Sequence, residues 1–280
     1  FTNLSRDHLD YHGTMADYAA AKKQLFTQED NQIAVLNGDE PQIKTWLATW
    51  SGKSNNLWLY GQSDAVRHSS QFVSCENIKH HGQGVDFTLN THLGDIDIHS
   101  PLLGDFNVEN LLAVIAVLLI EGLSLENIAQ EVTHIKAIAG RMEAFSTKSV
   151  TTAPTAVVDY AHTPDALEKA LQACRQHCSG HLHVVFGCGG DRDKGKRALM
   201  AQVAEKHADH LVITNDNPRS EAPMNIINDI LSGLSRQDKS QVIVDREQAV
   251  LATLSKANQN DLVLLAGKGH EDYIILGKDK

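Results

Sequence analysis

A glycine-rich segment with several basic side chains is the part of the chain whose composition most favours chemistry. The segment, at 187–197, reads GCGGDRDKGKR. An apolar run at 182–186 precedes it and predicts a buried strand, and the apolar spacing at 198–204 predicts a helix after it. A loop between a strand and a helix N-terminus presents backbone N–H groups to an anion, and Arg192 and Lys196 add positive charge. These residues predict an anion site, with phosphate as the first candidate.

The spacing of this segment nearly matches that of a P-loop. Gly190 and the Gly195–Lys196 pair fit the pattern GxxxxGK, but Arg197 stands where the motif requires a Ser or Thr hydroxyl for Mg²⁺. Because that hydroxyl is missing, the phosphate cradle of an ATPase becomes a weaker interpretation. The identity of the anion therefore depends on the residues that the fold brings to the same place.

Strands and helices are predicted to alternate through the second half of the chain. The predicted strands are 155–159, 182–186, 210–214, 241–244 and 261–266, and the helices between them are 165–177, 196–208, 224–234 and 247–257. This order predicts an α/β unit with a mostly parallel sheet that helices cover on both faces.

Polar side chains and glycines collect directly after four of these strands. The four segments are Asp159–His162, Gly187–Arg197, Asn215–Arg219 and Gly267–Glu271. Ligands of open parallel sheets bind at the carboxyl ends of the strands, which meet at one edge. The sequence therefore predicts a single composite site at this edge.

The first half of the chain has a different predicted organisation. A polar loop is followed by a helix at 15–26, a strand at 33–36 and a helix at 41–50. Short alternating stretches at 57–60, 71–74, 84–91 and 95–99 predict an antiparallel meander, and helices follow at 107–122 and 124–135. A domain boundary is predicted near Gly140, which gives one domain at 1–139 and another at 140–280.

Composition argues against several classes of protein. The 280 residues are enough for about two domains. The 25 basic and 35 acidic residues give a formal charge of −10, which argues against general nucleic-acid binding. The longest apolar run, Leu111–Ile120, is too short to span a membrane, and no signal peptide is visible. We therefore expect a cytoplasmic protein with neither a nucleic-acid nor a membrane partner.

The cysteines and the chain ends carry weaker signals. The four cysteines form no CxxC pair, so reduced thiols are predicted and a zinc site is not. Cys188 lies in the glycine-rich segment, where it is either a modifiable thiol or simply a small loop residue. The chain begins at Phe1 within a polar motif and stops soon after an apolar run at 273–276, so we expect it to be part of a longer protein.

Eight motifs follow one another along the chain. They read NLSRDHLDYHG, YAAAK, GDFNVENLLA, GRME, VDYAHTPDALEKAL, GCGGDRDKGKR, DNPRSE and GKGHEDY. In this order, and over nearly the whole chain, they resemble the Mur ligases of peptidoglycan synthesis, in particular the members that add meso-diaminopimelate. The resemblance implies the remainder of a central ATP-binding domain at 1–139, followed by a Rossmann-like, amino-acid-binding domain at 140–280.

The resemblance also implies a reaction. Mur ligases use ATP to convert a substrate carboxylate to an acyl phosphate, and the amine of an amino acid then displaces phosphate to form an amide. The implied substrates are ATP, meso-diaminopimelate and UDP-N-acetylmuramoyl-L-alanyl-D-glutamate, with Mg²⁺ as cofactor, and a monomer is expected. The family's GTNGKT-type P-loop, its UDP-binding domain and a carboxylate motif for Mg²⁺ do not occur in this sequence. We therefore expect the isolated chain not to catalyse ligation.

Near the start of the chain, the resemblance implies a metal site. It makes His8 a Mg²⁺ ligand and Lys22 a carbamylated, catalytic lysine whose carbamate acts as a carboxylate-like ligand. From the residues alone, a loop histidine near carboxylates is more often a hydrogen-bonding or surface group, and a helix lysine is usually solvated. The YAAAK motif selects Lys22 rather than Lys23.

Four further residues are implied to contact ATP. Asn107 and Asn110 lie three residues apart on one helical face and would approach adenine. Arg141 would reach a phosphate as a second catalytic residue, and Asp159 would lie near the ribose. Each assignment has a structural alternative. Asn107 and Asp159 could cap helix N-termini, and Arg141 could form a salt bridge with Glu143.

The motifs of the second half are implied to bind the amino acid. The residues concerned are Arg192, Asp216, Asn217, Arg219, Gly267 and Glu271. Arg219 would hold the distal carboxylate of diaminopimelate with two hydrogen bonds, and Arg192 would add a contact to a carboxylate. Gly267 and Glu271 would receive the distal ammonium group. The alternative at 215–219 is a plain β-turn. A turn and a binding motif are compatible, because a rigid turn is a suitable position for a binding arginine.

Two classes of function remain open from the sequence. The first is the ligase, in which the glycine-rich segment is part of an amino-acid pocket. The second is a non-catalytic Rossmann-like module that binds a nucleotide or an anionic metabolite. Among ligases, Arg219 argues against a lysine-adding member, because lysine has no distal carboxylate. The DNPRSE and GGDRDKGKR motifs argue against folylpolyglutamate synthetase.

Overall fold

The computed structural model describes residues 1–4, 9–26, 33–50, 56–146 and 153–277. The chain divides into two compact units. The first unit comprises Phe1–Lys79, Val85–Ser100 and Asp105–Ile135, and the second comprises His80–Gly84, Pro101–Gly104 and Lys136–Lys280. Within the described ranges, no helix combines the length and the apolar character that crossing a membrane requires.

The first unit contains helices on a five-stranded sheet. Its described helices are α1 (Leu9–His12), α2 (Met15–Gln24), α3 (Pro41–Leu47), α4 (Asp64–Arg67), α5 (Asp105–Ile120) and α6 (Leu125–Val132). Its strands are β1 (Ala34–Asn37), β2 (Leu57–Tyr60), β3 (Phe72–His81), β4 (Gly84–Thr91) and β5 (Gly94–Ser100), in the spatial order β1-β2-β3-β4-β5.

The direction of the first strands corrects the sequence prediction. β1 pairs parallel with β2, and β2 pairs parallel with β3, whereas β4 and β5 pair antiparallel. The predicted antiparallel meander is therefore wrong for β2 and β3. The helices α3 and α4 lie between these strands in the chain and return it to the same edge, which makes the pairing parallel. Alternating hydrophobicity indicates which side chains are buried, but not the direction of a strand.

Two helix ends also differ from the predictions. The side chain of Thr14 accepts a hydrogen bond from the Asp17 N–H at 3.1 Å and caps α2, which ends at Gln24 rather than at 26. Helix α5 begins at Asp105, two residues before its predicted start. Asn107 therefore lies inside the first turn, and its interpretation as a helix N-cap is wrong.

The second unit confirms the predicted alternation of strands and helices. Its strands are β6 (Glu143–Phe145), β7 (Thr155–Asp159), β8 (Leu182–Phe186), β9 (His210–Ile213), β10 (Ser240–Val242) and β11 (Leu262–Ala266). Its helices are α7 (Pro164–Gln176), α8 (Gly195–His207), α9 (Pro223–Leu231) and α10 (Arg246–Lys256). The strand order is β10-β9-β8-β11-β7-β6, and every pair is parallel except β6 with β7. The short antiparallel strand β6 was not predicted.

Alternate side chains of β8 enter two different cores. Val184 and Phe186 pack on one face with residues of α7, α8 and α9, whereas Val185 packs on the other face with Ala249 of α10. This period of two places helices on both faces of the sheet, as predicted. All five parallel strands therefore bring their carboxyl ends to one edge, and the loops after them define the site.

Candidate functional site

A cleft of about 490 Å³ lies at the carboxyl edge of the second sheet. The loops after β7, β8, β9 and β11 line it with Tyr160, His162, Thr163, Gly189, Arg192, Asp193, Lys196, Asp216, Asn217, Arg219, Gly267 and Glu271. The structure thus brings together all six residues predicted to bind the amino acid. The cleft presents two arginines and a lysine as well as the carboxylates of Asp193, Asp216 and Glu271.

Arg219 lies at a rigid turn that leaves part of its guanidinium group available. Its backbone has a positive φ of 52°, and its N–H donates to the Ile275 carbonyl at 3.1 Å. Nη1 donates to the carbonyls of Gly190 at 2.9 Å and Asn217 at 3.3 Å. Within the described ranges, Nε and Nη2 have no protein partner. This edge can receive a carboxylate with two parallel hydrogen bonds.

Arg192 is exposed on the glycine-rich loop and lines the cleft. It forms no hydrogen bond or ion pair with any residue that the structure describes. Neighbouring Lys196 is engaged, because its Nζ donates to the His162 carbonyl at 2.8 Å. Arg192 therefore retains its full capacity to bind an anionic ligand.

Glu271 is a hydrogen-bond-accepting group of the cleft, and Asn217 and Tyr160 hold it in place. Glu271 Oε2 accepts from Asn217 Nδ2 at 3.1 Å, and Oε1 accepts from the Tyr160 hydroxyl at 3.3 Å. Burial and the Glu271 carboxylate both raise the pKa of Tyr160, which keeps its hydroxyl a donor. Two donors thus orient the Glu271 carboxylate before any ligand binds.

Asp216 lies beside Gly267, whose φ of +106° favours glycine. A Cβ at Gly267 would stand 3.1 Å from Asp216 Oδ2, so the absence of a side chain leaves room at this carboxylate. The ammonium group of Lys268 lies 2.9 Å from Asp216 Oδ1, within ion-pair distance although not aligned as a hydrogen bond. Asp216 is therefore a buried, paired carboxylate at the base of the cleft.

Lys268 is a buried residue of this site that sequence reasoning missed. It is only 8% exposed, and its Nζ donates to Asn217 Oδ1 at 2.6 Å and to the Tyr273 carbonyl at 2.8 Å. Nζ also lies 3.7 Å from Glu271 Oε2. The only signal in the sequence was the position of Lys268 between two glycines of the GKGHE segment.

Arg197 is the second missed residue, and it explains why the P-loop pattern fails. Its side chain is fully buried and donates to both carboxylate oxygens of Glu221, to Asp229 and to the Gly189 carbonyl. Hydrogen bonds from Arg197 lower the pKa of Glu221 to about 2. Arg197 thus joins the loop after β8 to the loop after β9, and does not face a phosphate.

Asp159 and Arg141 lie where β7 meets the segment before β6. Asp159 accepts from the N–H groups of Ala161 at 2.8 Å and Met142 at 2.9 Å. The N-cap of α7 is Thr163, so the helix-cap interpretation of Asp159 is wrong. The Arg141 guanidinium lies over the Tyr160 ring, 4.5 Å from its centroid.

The alternative salt bridge between Arg141 and Glu143 is also wrong. Glu143 instead accepts a hydrogen bond from the Gly140 N–H at 2.8 Å. No ion pair joins Arg141 to a carboxylate in the described part of the chain. The exposed guanidinium stacks on an aromatic face with its N–H groups available to a ligand.

The remaining predicted residues belong to the first unit. Lys22 Nζ lies 5.0 Å from the centroid of the Tyr18 ring, and Lys23 Nζ donates to Thr49 Oγ1 at 3.2 Å. Asn110 Nδ2 lies 3.4 Å from Asn107 Oδ1, so these two amides share one face of α5. His8 lies outside the described residues. Those residues hold no group of three or more His, Cys, Asp or Glu side chains suited to a metal ion.

Comparison with known proteins identifies the family. The family described as "Mur ligase middle domain" matches residues 1–118, and "Mur ligase, glutamate ligase domain" matches residues 140–269. UDP-N-acetylmuramoyl-L-alanyl-D-glutamate–2,6-diaminopimelate ligase from Haemophilus influenzae is 47% identical over 279 residues, which are 100% of this chain and 56% of that protein. The chain thus spans little more than half the length of this curated relative.

Solved structures give the same result. A structure of UDP-N-acetylmuramoyl-L-alanyl-D-glutamate–2,6-diaminopimelate ligase matches with a TM-score of 0.76 and 36% identity, over 99% of this chain and 56% of that one. Folylpolyglutamate synthase from Mycobacterium tuberculosis has a TM-score of 0.65 at 20% identity, over 95% of this chain and 60% of that one, and shares the fold alone. Because the two family matches together take in most of its residues, the chain belongs to the Mur ligase family.

Proposed function

We propose that this chain supplies the amino-acid-binding part of an ATP-dependent ligase. That ligase joins meso-diaminopimelate to UDP-N-acetylmuramoyl-L-alanyl-D-glutamate in peptidoglycan synthesis. The observation that carries the proposal is that one cleft is lined both by arginines with unused N–H groups and by carboxylates. Arg192 and Arg219 both approach Gly189, and Asp216 and Glu271 line the same cleft.

The cationic and anionic groups of the cleft match the distal end of meso-diaminopimelate, which bears one carboxylate and one ammonium group. The unused edge of Arg219 would take the carboxylate, because a guanidinium fork matches two carboxylate oxygens. The Glu271 carboxylate would accept from the ammonium group. Lysine carries the ammonium group but no carboxylate at this end, so it would leave Arg219 without a partner.

Holding the distal end would orient the amine that reacts. The amine must attack an acyl phosphate, which ATP forms from the substrate carboxylate, and the attack expels phosphate. Fixing the amino acid in one pose removes much of the entropic barrier of such an encounter. We propose that Arg141, stacked on Tyr160, and Asp159 contact ATP near this cleft, and that Asn107 and Asn110 contact adenine.

The proposed metal site rests on the resemblance alone. His8 lies outside the described residues, and those residues hold no cluster of three or more His, Cys, Asp or Glu side chains that would suit Mg²⁺. Mg²⁺ would neutralise phosphate charge in the family reaction. Carbamylation of Lys22, a monomeric state and a cytoplasmic location stay predictions.

A non-catalytic binding role is the second candidate, and it applies to the 280-residue chain by itself. The amino-acid cleft is contained within the second unit, whereas the sequence holds no GTNGKT-type loop. We propose that the isolated chain binds meso-diaminopimelate without ligating it. ATP-dependent formation of the tripeptide product by this chain would contradict the proposed absence of ligation.

Calorimetric titration of the chain tests the proposed substrate. We expect meso-diaminopimelate to bind at least about tenfold more tightly than lysine, because the Arg219 contact is charge-assisted. D,D- and L,L-diaminopimelate give a second comparison, since they alter the configuration at one end only. Equal dissociation constants for meso-diaminopimelate and lysine would overturn the assignment.

A further inference from the structure

The amide of Asn217 has its orientation set by the protein. Its Oδ1 accepts from Lys268 Nζ at 2.6 Å and from the Ile275 N–H at 2.9 Å. A flipped amide would direct its NH₂ group against these two donors and would lose both hydrogen bonds. Nδ2 is therefore directed to Glu271 Oε2, 3.1 Å away. Lys268 and the Ile275 N–H together thus determine which group of Asn217 is directed to Glu271.

Lys268 also supplies positive charge to the same cluster. The carboxylates of Asp216 and Glu271 lie 2.9 Å and 3.7 Å from its Nζ. Arg246 attracts Asp216 electrostatically as well. Without the lysine, Asp216 would keep the attraction of Arg246, whereas Glu271 would lose the positive charge beside its Oε2.

Lys268 has little freedom to contact a ligand itself. The residue is 8% exposed, and two of its three N–H bonds are directed to Asn217 Oδ1 and the Tyr273 carbonyl. Asp216 also forms an ion pair with this ammonium group. Any effect of Lys268 on ligand binding must therefore pass through the groups that it touches.

We infer that Lys268 is a positioning residue for recognition of the distal ammonium group. Together with the Ile275 N–H, it fixes the Asn217 amide so that Nδ2 supports Glu271, and its positive charge offsets part of the negative charge of Asp216 and Glu271. This inference rests on the proposed function, because it assumes that the cleft holds a diamino dicarboxylic acid. It adds a determinant of specificity that does not touch the ligand.

The test compares two ligands that differ only in the distal ammonium group. The 280-residue chain and its Lys268→Met variant are titrated calorimetrically with meso-diaminopimelate and with 2-aminopimelate, which keeps the distal carboxylate. We expect the affinity of the variant for diaminopimelate to fall about tenfold, while that for 2-aminopimelate changes by less than about twofold. Lys256→Met, an exposed lysine at the end of α10, is the control and should change neither affinity.

Circular dichroism verifies the fold of each variant. If Lys268→Met does not fold, Lys268→Gln takes its place, because it keeps an N–H donor for Asn217 without the charge, and about a threefold loss for diaminopimelate is expected. Equal losses for both ligands, or no loss, would overturn the role of Lys268 and leave the proposed function intact. Failure of the unsubstituted chain to bind either ligand would overturn the proposed function, and the inference with it.

Discussion

Arg197 Nη2 lies 2.7 Å from Glu221 Oε1, and Nη1 lies 3.0 Å from Glu221 Oε2, so the two side chains form a paired contact beneath the glycine-rich loop. Glu221 Oε1 also accepts from the Asp191 N–H at 2.7 Å. The contact connects the loop that carries Arg192 with the loop that carries Arg219. The separation of the two arginines that face the cleft thus depends on a buried pair that does not face it.

The first prediction concerns Arg197→Met, which removes this pair and leaves Glu221 without its main partner. Arg197 is fully buried and the Glu221 side chain is 16% exposed. Removing one member of such a pair leaves a poorly solvated charge, so we expect the melting temperature to fall by roughly 5–10 °C. The affinity for meso-diaminopimelate should also fall, because the two loops lose their connection. Thermal unfolding and calorimetric titration measure the two effects.

The control for Arg197 is Arg236→Met. Arg236 also pairs with an acidic residue, Asp238, at 3.1 Å, but both side chains are largely exposed. Exposed pairs contribute little, so the melting temperature of this variant should match that of the unsubstituted chain. If the two variants melt alike, the buried pair does not hold the loops.

The second prediction concerns the pH dependence contributed by His183. Burial lowers the pKa of His183 from its ordinary value of 6.5, and stacked His210 lowers it further, whereas Asp261, 3.6 Å from Nε2, opposes this. The unfolded chain therefore binds a proton at this residue before the folded chain does. The contribution to stability is complete above pH 6.5 and is lost as the pH falls through the folded pKa.

Replacement of His183 by Gln should make the denaturant midpoint less sensitive to pH between about 7.5 and 5.5. His134→Gln, at an exposed position in the first unit, is the matched control and should keep the full dependence. The same slope in His183→Gln as in the unsubstituted chain would show that this histidine is not responsible.

The success of the sequence in predicting the second sheet has a physical basis. β7 and β8 run through the predicted residues because mostly apolar runs such as Leu182–Phe186 are typical of strands buried on both faces. Parallel strands bring their carboxyl ends together, so the topology alone predicted that Asp216, Arg219 and Glu271 would be neighbours. In the first unit, short alternating strands gave no such constraint, and the predicted direction was wrong for β2 and β3 although right for β4 and β5.

The missed residues share a different physical property. Lys268 and Asn217 lie 51 positions apart, and Arg197 and Glu221 lie 24 apart. A charged residue in a glycine-rich loop is ordinarily solvated, and no local pattern indicates that a distant partner will bury it. The residues that line the cleft could be predicted because they follow the strand ends. The buried residues that hold them in place, Lys268 and Arg197, became apparent only in the structure.

The third prediction concerns the thiol in the glycine-rich loop. Cys188 is 3% exposed, its Sγ lies 3.6 Å from Met200 Sδ, and burial raises its pKa to about 12. Because the thiolate is the reactive form, Cys188 should resist iodoacetamide in the folded chain at pH 7.5. Partly exposed Cys178 should react first, and peptide mass spectrometry identifies the site. Alkylation of Cys188 before Cys178 would contradict this prediction and would favour the interpretation of Cys188 as a modifiable thiol.

The last prediction concerns Arg219→Ala, which tests whether Arg219 binds the distal carboxylate of the ligand. Any non-glycine residue meets the same strain at a φ of 52°, so the substitution changes the guanidinium group more than the backbone. Loss of a paired, charge-assisted contact should weaken binding of meso-diaminopimelate about 10- to 100-fold. Binding of lysine should remain weak and unchanged, because lysine offers no distal carboxylate to Arg219.

The control is Arg236→Ala, remote from the cleft, which should leave both affinities as they are. A proportional loss for both ligands in Arg219→Ala would mean that the arginine shapes the turn, through its contacts with Gly190 and Asn217, and does not bind the distal carboxylate.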